Sequence, residues 1–326
     1  MVSRMLIRRW ADQDAAGAPR VRSVTVGTAE VNDRAHPRTV MICGDYVPLQ
    51  WVRPLERIWE SAETDSGEVL KDSNPRDIIA DDERQREAGG GAVRRLMLVH
   101  LVRGLEAALV ARELAEHRGE VAANNPMEVW AWQERELQPG GLILPWWMHA
   151  ERAREALTQH AAHSHADRLA GHYGKALAEC AQHSLEVAVA PAGCEFVLGD
   201  SPSFTTRSAA DGSPLVGLGA NKAPLGPGTM LAMPLGPTLC VMLSSSPFLN
   251  GVATIDEQHV EALNDIQCDR AMRTVVCTRQ APPDLVDRIA SRVTGRWGHD
   301  DAGDPLPPPP GNGLPPAVWA DAPSAG

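Results

Sequence analysis

The hydrophobic pattern of this 326-residue chain changes its period twice. Between Trp51 and about Ala62, the apolar residues Val52, Leu55, Ile58 and Trp59 recur at helical spacing along one face. Residues 71–91 are charged and end in Gly89-Gly90-Gly91, which predicts a flexible connection. The strongest helical pattern follows, in "AVRRLMLVHLVRGLEAALVARELAEH", residues 92–117. From Leu96 to Val102 it is apolar nearly all round apart from His100, which predicts a central helix. Another helix is expected from Pro126 to Leu137, with Asn125 as its N-cap and Pro126 at its first position. Residues 145–183 are Ala-rich and read as a long helix interrupted near Gly171 and Gly174.

After Ser184 the period shortens. "LEVAVAP", "CEFVLGD", "GTMLAMPLG" and "TLCVMLSSS" are short strand-like runs punctuated by Gly and Pro. Helical spacing returns in "TIDEQHVEALNDIQCDRAM", for which Thr254 is the expected N-cap. "RTVVCTR" predicts a strand and "PPDLVDRIASRV" a last helix. Helices gathered first and strands afterwards predict an α+β fold. Its helical N-terminal half is expected to pack on a smaller, mostly antiparallel sheet in the C-terminal half.

The two ends differ from this body. Residues 1–40 have weak periodicity, with one β-like patch, "VRSVTVGTAEV", and at Met41 the texture turns dense in apolar residues. We read 1–40 as a loosely ordered extension, consistent with an over-early start and Met41 as the true one, and 41–295 as a single domain. Residues 296–326, with "DPLPPPPGNGLPP", have the composition of a disordered tail.

A formal charge of −11 argues against bulk nucleic-acid binding, which needs clustered Lys and Arg. A small molecule or a protein is left as the expected kind of partner. The six cysteines form no C-x-x-C pair, so neither a zinc site nor a disulfide framework is expected. No apolar run approaches the roughly 20 residues of a membrane span, and the N-terminus has no continuous apolar core of a signal peptide. These features point to a cytoplasmic protein with reduced cysteines.

Three constellations could carry chemistry. Six histidines lie between His149 and His183, and His160 and His163 share a helix face. No carboxylate completes either face, so neither a metal nor another cofactor is expected. His100 and Arg103 stand three apart on the most apolar helix, so at least one must enter or border the core. They form either a structural Arg–carboxylate pair with a core histidine or the floor of an anion-binding cleft. Finally, "FVLGDS" (196–201) resembles the nucleophile block of the GDSL-type (SGNH) esterases. That resemblance implies Ser201 as nucleophile, Gly199 or Gly219 with Asn221 for the oxyanion, and Asp256 with His259 as partners. Spacing opposes it, because the β–helix–β crossovers of that fold need more helical sequence than lies between Ser201 and Thr254.

A second resemblance is broader. "DYVPLQWVRPL" (45–55), "LMLVHLVRG" (96–104), "EFVLGDSPSFTT" (195–206), "MPLGP" (233–237) and "LNDIQCDRAMRTVVCT" (263–278) occur in the order typical of the bacterial domain of unknown function 4238 family. The chain resembles that family over about residues 41–279. Asp45 stands where the family opens on His, and Ser201 where its S-D-N-P motif has Asn. The resemblance marks Asp200 and Pro202 as the retained positions of that motif and implies no particular reaction. We expect any site where the strand ending at Asp200 meets the helix bearing His100 and Arg103. Asp200 would act there as a general base or polar anchor, and Arg103 would hold an anion. The alternatives are an Asx-turn at Asp200, and a binding module presenting an exposed apolar patch such as Trp130, Trp132, Trp146 and Trp147.

Overall fold

The computed structural model describes residues 2, 4–41, 53–71, 74–102, 171, 173–207, 216–217 and 229–294. The fold is α+β, with two sheets among the described residues. Helices α1 (Arg4–Arg8), α2 (Arg53–Val69), α3 (Pro75–Arg84) and α4 (described over Ala92–Val102) precede α5 (Glu257–Arg270) and α6 (Pro283–Val293).

The larger sheet contains β4 (Ser184–Val189), β6 (Phe204–Arg207), β7 (Val216–Gly217), β8 (Thr229–Gly236), β9 (Leu239–Ser244) and β10 (Val252–Thr254). Its order is β10-β4-β9-β8-β6-β7, antiparallel except for the parallel β10–β4 pair. Both faces are covered, which is why its strands read as nearly continuous apolar runs. Successive residues face opposite cores. Leu231, Met233, Val241 and Leu243 pack with Trp10, Trp59, Leu96 and Met97. Their neighbours Ala232, Cys240 and Met242 pack with Phe204 and with Val260, Leu263 and Ile266 of α5.

The second sheet corrects the expected arrangement. It contains β1 (Asp12–Gln13), β2 (Pro19–Thr25), β3 (Val31–Ala35), β5 (Leu198–Gly199) and β11 (Thr274–Cys277). β2 pairs β3 on one side and β11 on the other, and β11 pairs β5. Strands from near the two ends of the described chain thus share one sheet. Residues 4–40, within the stretch expected to be a loosely ordered extension, pack into the core here: Leu6, Ile7, Trp10, Val21 and Val24 are fully buried. Their signal was weak because β2 is short and interleaved with Arg20, Arg22 and Ser23. Only pairing with β11, about 250 residues away, reveals its inner face.

Two local expectations also change. Residues 75–84 are helical, and the glycines after them form a fitted corner. Gly91 donates its N–H to Asp82 at 2.9 Å, and Ala92 donates to Asp81 at 2.9 Å, so two aspartates of α3 cap the start of α4. A Cβ on Gly91 would lie 2.7 Å from Asp82 Cα, so the close approach of backbones requires glycine there. The N-cap of α5 is Asp256, which accepts from His259 N; Thr254 ends β10 instead. The tail at 296–326 lies outside the described residues.

Candidate functional site

Residues 195–203 run from the larger sheet's hairpin into the second sheet and back, and almost every polar group along them is engaged. Glu195 accepts from Thr278 N (2.9 Å) and Thr278 Oγ1 (2.6 Å). Burial pushes its carboxyl up, while the Thr278 bonds act in the opposite direction. Trp10 Nε1 donates to the Phe196 carbonyl at 2.8 Å. The Asn264 amide brackets Phe196, accepting from Val197 N (2.9 Å) and donating to the Glu195 carbonyl (2.8 Å). Gln267, one turn further along α5, donates to the Ser201 carbonyl at 2.9 Å. Gly199 is required by this fit, since a Cβ there would lie 2.5 Å from Gln267 Nε2.

Asp200 lies at the centre of this junction and is buried. Oδ1 accepts from Met272 N at 2.9 Å, and Oδ2 accepts from Arg273 N at 2.6 Å and Thr274 N at 3.1 Å. Three consecutive backbone donors between α5 and β11 thus converge on one carboxylate, an arrangement suited to holding an anion. Burial pushes its carboxyl up, against the pull of those three donors. The geometry is not an Asx-turn onto its own segment. The bonds reach 72–74 residues along the chain.

The turn also meets α4. Ser203 Oγ donates to the Met97 carbonyl at 2.9 Å, one helical turn before His100. His100 is buried and packs edge-on against Trp59, ring centroids 4.7 Å apart. Arg103 lies outside the described residues, as do Trp130, Trp132, Trp146 and Trp147, the histidines from His149 to His165, Gly219 and Asn221. Among the described residues, no group of three or more His, Cys, Asp or Glu side chains is placed to hold a metal.

Of the esterase constellation, the Asp256–His259 pair is formed, whereas the bond made to Ser201 leads elsewhere. His259 Nδ1 bonds Asp256 Oδ1 at 2.6 Å in the first turn of α5. Ser201 is tied to Gln267, eight residues or about 12 Å of rise further along the same helix. The two ends of α5 therefore separate the serine from the histidine.

Two charged centres escaped the sequence reading. Arg94 is fully buried and makes a bidentate pair with Asp82, Nε to Oδ1 at 2.8 Å and Nη2 to Oδ2 at 2.6 Å. Its remaining donors reach the carbonyls of Cys180 and His183, stitching α4 to the approach to β4. A buried Arg–carboxylate pair does occur on α4, then, at Arg94. Its only signal was an adjacent Arg94-Arg95 pair, which periodicity could not split into one inward and one partly exposed residue. The second centre is Glu186, buried in β4. It accepts from Phe248 N (2.8 Å), Leu249 N (2.6 Å) and Asn250 N (2.6 Å). That loop leaves Phe248 and Val252 each 37% exposed, beside β10, the end strand of its sheet among the described residues.

These features define an α+β protein with two sheets, whose connecting segments are held by buried carboxylates and amides. Residues 112–281 match the model of a family described as "Protein of unknown function (DUF4238)", and the chain belongs to that family. The match takes in the Asp200 turn, β4 to β11 and α5, whereas 45–55 and 96–104 fall outside it. No curated protein and no solved structure matches the chain.

Proposed function

We propose that this chain is a non-enzymatic binding or interaction module of a bacterial cytoplasm, engaging a protein or small molecule, in which Asp200 has an architectural role. The carrying observation is the corner formed by Phe248 and Val252. Only one other large hydrophobic residue among the described residues is exposed, Val31. Phe248 is presented on a loop whose backbone is anchored by Glu186, and exposed apolar groups held rigidly suit a docking surface better than a catalytic cleft. The free thiols Cys180, Cys240, Cys268 and Cys277, all buried, support the reducing compartment. The test is a quantitative co-purification with Phe248→Ser and Val252→Lys chains that keep the wild-type melting temperature. Both should lose a partner that the wild type retains. Undiminished recovery of every partner would overturn the reading.

A hydrolase using Asp200, His100 and Arg103 is the second reading. The Ser203–Met97 bond favours it, because it brings the Asp200 turn against the helix that carries His100. Both Asp200 oxygens are already committed to backbone donors, so a base role would require those bonds to open. A substrate screen on Asp200→Asn and His100→Gln chains separates the two readings. Activity in the wild type that falls at least about tenfold in both would restore the hydrolase.

A further inference from the structure

Two atoms at the Asp200 turn have no hydrogen-bond partner among the described residues: Ser201 Oγ and Gln267 Oε1. Ser201 is 6% exposed and Gln267 0%. Buried polar atoms without partners are rare, because each retains the full cost of leaving water. The two residues meet at the bond from Gln267 Nε2 to the Ser201 carbonyl, which sets both unpartnered atoms at one junction. That bond also orients the amide. Exchanging its nitrogen and oxygen would set two oxygens against each other, so Oε1 is held as an acceptor in need of a donor.

The missing group must donate to Oε1 and exchange a hydrogen bond with a hydroxyl. An ionised carboxylate or a fully ionised phosphate group cannot donate to Oε1, and the charge of any phosphate would be buried close to the Asp200 carboxylate. Among the described residues a metal cation would find two neutral oxygens beside a carboxylate already committed to backbone donors, far fewer free ligands than the six to eight a hard cation takes. We propose that Ser201 Oγ and Gln267 Oε1 bind one ordered water that bridges the turn to α5. The site belongs to the architecture around Asp200 and does not depend on the interaction-module reading. It assigns Ser201 a purpose with no nucleophilic chemistry: its hydroxyl holds the water, and its carbonyl holds Gln267.

A high-resolution crystal structure of the full chain tests this directly. The expected result is one ordered water within about 2.6–3.2 Å of both atoms. A direct Ser201–Gln267 side-chain bond, or a dry contact, would overturn the proposal. Variants provide an independent arm. Ser201→Ala should lose the water and melt a few degrees lower. Ser201→Asn, whose amide can place an N–H where the water sits, should also lose the water but melt at or above the wild-type temperature. If Ser201→Ala melts with the wild type, or Ser201→Asn falls as far as Ser201→Ala, the water has no such bridging role.

Discussion

Asp200 and Glu186 solve the same problem in two places, and they reached attention by opposite routes. Each is a buried carboxylate that accepts from three consecutive backbone N–H groups of a distant segment. Asp200 stood out in the sequence because it ends an apolar run and is followed by Ser-Pro. Glu186 lies inside "LEVAV", where a single acid in a strand ordinarily marks a solvent-facing position. The comparison teaches that backbone donors can hold a buried acid that makes no side-chain ion pair among the described residues. Asp82 uses the other solution, an arginine. The Asp200 donors join two core elements, whereas the Glu186 donors lie in a loop bordering solvent.

The largest test removes one side of the comparison. A chain beginning at Met41 would lack β2 and Trp10, which supply the strand beside β11 and the donor to Phe196. It should show no cooperative thermal transition by circular dichroism. A truncated chain that melted like the full one would mean that the second sheet stands without its central strand.

Next come the carboxylates themselves. Asp200→Ala leaves three donors without an acceptor in the core junction and should cost on the order of 3 kcal/mol by urea unfolding. Glu186→Ala exposes its donors to a loop that water can enter, so about 1–2 kcal/mol is expected. Hydrogen exchange should rise at 272–274 in the first variant and at 248–250 in the second. Equal losses would erase the distinction between core and loop.

A smaller effect concerns pH. Burial holds the Asp200 carboxyl above its ordinary value in the folded chain. Between the ordinary and the raised value, the folded state binds more protons than the unfolded state. The contribution of Asp200 is therefore full below the ordinary value and is lost as pH rises through the raised one. The melting temperature of the wild type relative to Asp200→Asn should accordingly increase on acidification through that window. A difference that shrinks on acidification would mean that the three donors outweigh burial.

The smallest signals are thiol reactivities. Burial pushes Cys277 and Cys240 up to about 12 and Cys180 to about 11, so alkylation at pH 8 should be negligible in the native chain. Cys277 ends β11, the strand whose first residue Asp200 holds, and Cys240 lies in β9, paired with the strand of Glu186. Asp200→Ala should speed labelling of Cys277 and leave Cys240 slow. Uniform acceleration of both would show one cooperative unit rather than two separable corners.

Much of the fold was legible from local pattern. β4, β8, β9, β11 and α6 lie where the period of their apolar residues places them, because burial imposes that period directly, whereas α2 runs on to Val69, past the expected end near Ala62. The same reasoning missed the role of residues 4–40. A short strand with arginines on alternate positions has no strong local signal, and its inner face exists only once β11 is beside it. It also treated Gly89-Gly90-Gly91 as loose, although glycine serves equally where two backbones come into close contact.

At the candidate site, the sequence by itself determined the turn, its Gly and Pro, and a polar helix, α5, carrying Asn264 and Gln267. Only the tertiary structure decided what those residues do. It turned Asp200 towards the start of β11, set Ser201 and His259 at opposite ends of α5, and buried Arg94 against Asp82. The physical reason is that periodicity reports which side of an element meets the core. A charged group's role depends on the donors and acceptors that reach it from other segments, here 12 to 89 residues away, and those approaches appear only when the chain has folded.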